Sequence, residues 1–403
     1  MSAHRSHSAR IDLTLPSLAG LHTRRSEKWV GHDPDVISST IAEMDFPVAE
    51  PIIRALHAAI DRHDFGYAPA TIPTLAEAFA GFAARRLGWR VDPGQTTLLP
   101  DVMVGVLELA RLLAGPNRSV ACPVPAYPPF LIELPAAGLS VHPIPLTASR
   151  AIDLDALTTE LATGTRVLIL ANPHNPTGHV LPRSELEQLA ELVAAHDAWV
   201  IADEIHGPLV LPDAHHISWL TVSDAARHCG FALTSASKAF NLAGLKAALL
   251  ITAADTARRA AAQLPPLTDH AGLLGVVAAE AAFTEGEPWL DAVLAQLATN
   301  RDLLTALLAD HLPGIRWTPP EATYLAWLDC RQLGLGDDPA VPLLSRARVA
   351  LSSGLEYGQV GAGHARLNFG TSPQLLTSMI DRLAAAVTER AGSRAEVRTN
   401  VGH

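Results

Sequence analysis

The sequence predicts an α/β protein: a mainly parallel sheet covered by helices, followed by a smaller α+β domain. Three observations carry this. Short apolar runs of strand length end at polar or turn residues, helix-period segments separate most of them, and the pattern changes near Pro288. The runs lie at 119–122, 166–170, 198–202, 231–234 and 247–251. Between the second and third, 183–196 repeats leucine and alanine at three and four, as a helix does when it covers a sheet. Strand–helix alternation of this kind builds parallel sheets, and their ligands sit beyond the carboxyl ends of the strands. After Pro288, 289–312 reads as one long amphipathic helix, 324–328 and 365–369 as strands, and 373–387 as a helix. The expected division is an N-terminal arm at 1–45 packing with the small domain, a large domain at 46–287, a small domain at 288–390 and a flexible tail at 391–403.

Composition excludes several classes. The 403 residues are 48% apolar and 18% charged, as in a globular chain that buries most of its apolar surface. A net charge of −11 argues against nucleic acid, which needs a basic face. The longest run of apolar residues and glycine, 271–279, is about half the ~20 residues of a membrane span. The N-terminus shows no secretory signal, so a cytoplasmic protein is expected. Three scattered cysteines without a CxxC suggest neither disulfides nor zinc. Eighteen histidines include the pair His215-His216, but adjacent strand residues face opposite ways and no HExxH occurs, so no metal is expected.

Chemistry is concentrated after the strand-like runs. Asn172-Pro173-His174-Asn175-Pro176-Thr177-Gly178 is a rigid turn that can hold amide donors toward a ligand. Asp203 closes the next run in Ala202-Asp203-Glu204-Ile205-His206, and Lys238 follows another in Thr234-Ser235-Ala236-Ser237-Lys238-Ala239-Phe240-Asn241. Taken singly these are an Asx-turn loop, a helix cap and a surface lysine. Arg366, flanked by apolar residues in Ala365-Arg366-Leu367-Asn368-Phe369, is harder to explain that way, because a buried unpaired guanidinium is costly.

Together, the order asparagine, aspartate, lysine, arginine resembles the fold-type I pyridoxal-phosphate enzymes from about residue 24 to 389. Asp203 lies 28 residues after Asn175, and Lys238 another 35 on. Ala42-Glu43-Met44-Asp45-Phe46-Pro47 and Asp203-Glu204-Ile205-His206 resemble the cystathionine β-lyase branch (the MalY/PatB type) of the class I/II aminotransferase family. The resemblance implies the pyridoxal-phosphate-dependent transferase fold, with pyridoxal 5′-phosphate as cofactor and an electron sink. Lys238 then matches the Schiff-base lysine and base, Asp203 the acid on the ring nitrogen, Asn175 the donor to the phenolic oxygen, and Tyr127 the stacking aromatic. His206 stands where many aminotransferases have a tyrosine; it either supports Asp203 or packs. Ser235, Ser237, Lys246 and the amides of Val102 and Met103 match the phosphate site, although Asp101 there carries the wrong charge. Tyr67, in Gly66-Tyr67-Ala68-Pro69, matches a tyrosine that reaches the neighbouring subunit's phosphate, which implies a homodimer with shared sites. Arg366 matches the grip on the substrate α-carboxylate, with Asp45 and Tyr357 also on the substrate side. The implied activity is carbon–sulfur β-elimination of cystathionine or related cysteine S-conjugates. An aminotransferase, or a non-catalytic regulatory module of the same fold, are the alternatives.

Overall fold

The computed structural model describes residues 11, 13–69 and 71–400, with side chains as far as 388. Among these residues twelve strands form two sheets. In chain order they are β1 (Ile37–Ser39), β2 (Thr96–Leu99), β3 (Ser119–Val124), β4 (Ser140–Pro145), β5 (Val167–Ala171), β6 (Trp199–Asp203), β7 (Gly230–Thr234), β8 (Ala248–Ile251), β9 (Arg316–Trp317), β10 (Leu325–Asp329), β11 (Val349–Ser353) and β12 (His364–Asn368). The larger sheet has the order β2-β8-β7-β6-β5-β3-β4. Its strands β4, β3, β5, β6 and β7 run parallel, and β8 is antiparallel to both β7 and β2.

The five expected runs are β3 and β5–β8, shifted by one or two residues. They were legible because central strands covered on both faces are apolar throughout, as β7 and β8 are. Strand β4 reads poorly because it contains Pro143 and Pro145, which an edge strand tolerates. The helix Arg183–Ala195 buries Leu186, Leu189, Ala190 and Val193 on one stripe. The helix Val102–Leu113 lies so close to the sheet that a Cβ on Gly105 would overlap the Leu233 and Leu99 side chains. Glycine there lets the helix N-terminus approach the ends of the strands.

The smaller sheet has the order β1-β11-β12-β10-β9, with β1 parallel to β11 and the other pairs antiparallel. The long helix runs Glu287–His311, close to its expected span. The last helix is Pro373–Asn400, longer than the expected 373–387 and reaching into the segment read as a flexible tail. Positions 1–10, 12 and 401–403, at the ends of the expected arm and tail, lie outside the described residues. No helix among the described residues is long and apolar enough to cross a membrane.

Candidate active site

The carboxyl ends of β5, β6 and β7 meet the N-terminus of the helix Val102–Leu113 around a cavity of about 260 Å³. Pairing of β5 with β6 sets Asp203 level with Ala171, just before the asparagine loop. That loop is tied down at both ends: Asn172 N donates to Asp203 O at 3.0 Å, and Asn172 Oδ1 accepts from Leu181 N at 3.0 Å. Asn175, at its turn, is buried. Behind Asp203, the buried Glu204 carboxylate accepts from His216 Nε2, Ser218 Oγ and Trp219 N, which anchors the chain leaving β6. Lys238 sits on the short helix Ala236–Ala239 after β7. Lys238, Asp203, Asn175, His206 and Tyr127 all line the cavity.

Burial sets their charge states. It pushes the Asp203 carboxyl up to about 6, even though Oδ1 accepts from Ile205 N at 3.1 Å. Lys238 is pushed down to about 8, first by burial and then by the Arg366 charge. Its Nζ donates to Ala42 O at 3.0 Å. His206 is pushed down to about 3 by burial and by the Lys238 and Arg366 charges, so its ring is neutral. Its Nδ1 has no partner and its ring meets Tyr324 edge-on. His206 thus contributes a neutral ring to the cavity wall. Tyr127 is pushed up to about 12, chiefly by burial, and remains a phenol.

Arg366, on β12 of the smaller sheet, does not itself line the cavity but meets it through Asn175. Its Nη1 donates to Asn175 Oδ1 at 3.1 Å, and its Nη2 to Thr40 O at 2.5 Å and Ser352 Oγ at 3.3 Å. Nε is buried without a partner. A guanidinium that is 4% exposed, with no carboxylate among these partners, has donor capacity for an anion.

At the other end of the cavity, the first amides of the helix Val102–Leu113 have no intrahelical acceptor. Asp101 caps that helix, accepting from Val104 N at 2.8 Å, while its Oδ2 holds Lys246 Nζ at 3.0 Å. The wrong charge noted in the sequence is thus neutralised by the lysine beside it. Glu133, which the sequence did not single out, also lines this end. Ser235 and Ser237 both line the cavity. The Ser235 hydroxyl donates to Ala247 O at 2.6 Å and accepts from Ser237 N at 3.0 Å, capping the lysine helix.

Two assignments, Asp45 and Tyr357, need correction. Asp45 is not on the substrate side: it is fully buried and bonded to Lys28 Nζ at 2.8 Å, an internal ion pair. Tyr357 is buried behind Arg366, 5.3 Å from the guanidinium to the ring centroid, and does not line the cavity. Tyr67 is 87% exposed and does not line its own chain's cavity. Sequence reasoning missed the backbone carbonyls of Thr40 and Ala42, and also Tyr324, whose hydroxyl donates to Ala42 O at 2.8 Å. Carbonyls have no sequence signature. Tyr324 looked like an ordinary core residue at the start of a strand.

Against known proteins, the family profile "Aminotransferase class I and II" matches residues 34–383. A cystathionine beta-lyase of Corynebacterium glutamicum is 34% identical, covering 93% of this chain and 100% of its own. The cystathionine beta-lyase PatB of Bacillus subtilis is 33% identical, over 88% of this chain and 93% of its own. Among solved structures, the PLP-bound C-S lyase from Staphylococcus hominis superposes with a TM-score of 0.83 at 26% identity, covering 91% of this chain and 96% of its own.

Proposed function

Because the chain belongs to the class I and II aminotransferase family, we propose that it is a pyridoxal-phosphate-dependent carbon–sulfur β-lyase. It cleaves cystathionine or a related cysteine S-conjugate, with water, to a thiol, pyruvate and ammonia. The observation that carries this reading is Lys238. It is a buried amine with its pKa brought down to about 8, in one cavity with a buried carboxylate and beside an arginine that has spare donors.

The donor set fits the cofactor. Asp203 would face the ring nitrogen, Asn175 the phenolic oxygen and Tyr127 the ring face. Val102 N, Met103 N, Ser237 and Lys246 would take the phosphate. When bound, pyridoxal phosphate supplies an electron sink for the α-carbon. Lys238 would hold it through Nζ, and the same nitrogen, when free, would take the α-proton. Arg366 would bind the α-carboxylate through two N–H donors and so orient the Cα–H bond. Asp203, whose carboxyl burial makes more basic, would keep the ring nitrogen protonated.

We also propose that the enzyme works in the cytoplasm as a homodimer with Tyr67 reaching its partner's phosphate site. An apolar surface supports the pairing, with Tyr67 87%, Phe65 61%, Ile60 47% and Ile53 40% exposed on neighbouring stretches of chain. The deciding experiment incubates the purified holoenzyme with cystathionine and no 2-oxo acid. Sustained release of pyruvate and thiol is expected. Turnover that stops after one equivalent and resumes when a 2-oxo acid is added would make the protein an aminotransferase instead.

A further inference from the structure

The Ala42 carbonyl lies between two donors that come from different parts of the chain, Lys238 Nζ at 3.0 Å and the Tyr324 hydroxyl at 2.8 Å. Tyr324 is fully buried, and its ring meets His206 edge-on with 6.3 Å between centroids, so the hydroxyl has one place to be. The backbone around Ala42 is pinned on both sides. Asn368 Nδ2 donates to Ile41 O and Glu43 O at 2.7 Å each. Asn241 accepts from Met44 N at 3.0 Å and donates to Met44 O at 2.9 Å. The result is a fixed acceptor facing the lysine nitrogen.

An uncharged amine that gives one N–H to a fixed acceptor loses free rotation about its Cε–Nζ bond, and its lone pair is confined to the remaining staggered directions. We propose that Tyr324 is a positioning residue for proton abstraction: its hydroxyl fixes the Ala42 carbonyl, and the carbonyl, by accepting one N–H of the Lys238 amine, aims the lone pair at the substrate's α-hydrogen. The inference rests on reading Lys238 as the base. In the step, the Cα–H bond breaks, the proton joins Nζ, and the bonding pair passes to the bound cofactor. The ammonium so formed keeps the same carbonyl as acceptor, so the charge develops where a hydrogen bond already waits for it.

The test is Tyr324→Phe in the holoenzyme. Phenylalanine fills almost the same space and removes only the hydroxyl, and thermal unfolding of the variant beside wild type reports that the fold is retained. L-Alanine in D2O serves as the probe, with α-proton exchange followed by NMR. It has no β leaving group, so exchange reports abstraction and return whether the enzyme is a lyase or an aminotransferase. Exchange is expected to slow about ten- to a hundredfold, as small misplacements of a reacting group do, with KM within twofold and the cofactor absorbance unchanged. The isotope effect from α-deuterated cystathionine should rise, because abstraction becomes more rate-limiting. Exchange at the wild-type rate would overturn the proposal. Slow exchange that merely tracks loss of cofactor would also overturn it, since the hydroxyl would then only hold structure. A wild-type enzyme that exchanges alanine but does not cleave cystathionine would refute the lyase reading and leave this one standing.

Discussion

Removing the Arg366 guanidinium tests both the substrate grip and the electrostatics of the site. The group is 4% exposed, and Nη1 and Nη2 already point at neutral acceptors, Asn175 Oδ1 and Thr40 O. A substrate α-carboxylate would therefore replace weaker partners with a bidentate ionic one. Truncating one partner of a buried, hydrogen-bonded charge pair costs on the order of 2–5 kcal/mol. At about 1.4 kcal/mol per tenfold, Arg366→Ala should lower kcat/KM for cystathionine by about thirtyfold to several thousandfold. A second consequence has a definite sign. After burial, the Arg366 charge is the largest influence holding Lys238 down at about 8, so its removal raises that pKa. Only the neutral amine attacks the cofactor aldehyde. Cofactor incorporation into cofactor-free wild type should therefore rise with pH through about 8, and the same rise should move to higher pH in Arg366→Ala. Arg366→Lys keeps the charge but not the fork, so it should keep the wild-type loading profile while recovering only part of kcat/KM. Stopped-flow absorbance gives the loading rates and pyruvate release gives kcat/KM. If Arg366→Ala leaves kcat/KM unchanged, the substrate role is refuted; an unmoved loading profile refutes the electrostatic coupling.

Borohydride reduction of the holoenzyme followed by peptide mapping should place the pyridoxyl group on Lys238, and a label on Lys246 would contradict the assignment. Folding raises the Asp203 pKa from 3.8 to about 6 in the cofactor-free chain, so its contribution to stability is present below pH 3.8 and is lost as pH rises through about 6. Asp203→Asn never ionises, so thermal unfolding of the cofactor-free chains should show it more stable than wild type at pH 7.5, by on the order of 3 kcal/mol, with the gap closing near pH 4; a gap independent of pH would count against it. Lys28→Met strands the Asp45 carboxylate, whose Oδ2 already lacks a partner, and should cost about 3–5 kcal/mol in denaturant unfolding, part of which Asp45→Asn restores in the double variant.

How much of this was legible beforehand depended on whether a feature is carried by side-chain chemistry or by geometry. Strands β5–β8 announce themselves through apolar composition, and polar residues at or just after the ends of β5, β6 and β7 become the cavity wall. Lys238, Asp203 and Asn175 were found because their types and order are tied to one chemistry. Asp45 misled for the opposite reason: an acid in a distinctive string looks functional, and only the position of Lys28, seventeen residues earlier in the chain, shows that the carboxylate is already neutralised. Ser235 was chosen by type, but a hydroxyl beside a helix start is as useful for capping as for binding an anion. Strand β1, with the sequence Ile-Ser-Ser, has no pattern to read, and only pairing with β11 makes it a strand.

That short strand explains why the site needs both sheets. Arg366 belongs to β12 in the smaller sheet and Lys238 follows β7 in the larger one, so nothing local fixes one relative to the other. The chain that leaves β1 does so. Thr40 gives its carbonyl to Arg366 and Ala42 gives its own to Lys238, two residues apart on one pinned segment. The same segment is held to the smaller sheet by Asn368 and to the lysine loop by Asn241. The separation of Arg366 and Lys238 is thus set by a length of backbone. Until an anion offers a stronger partner, Arg366 Nη2 and Lys238 Nζ are held by neutral carbonyls, and Arg366 Nε keeps a donor in reserve. Backbone acceptors suit this role: they hold a cation in place without the charge that would compete with a carboxylate for it.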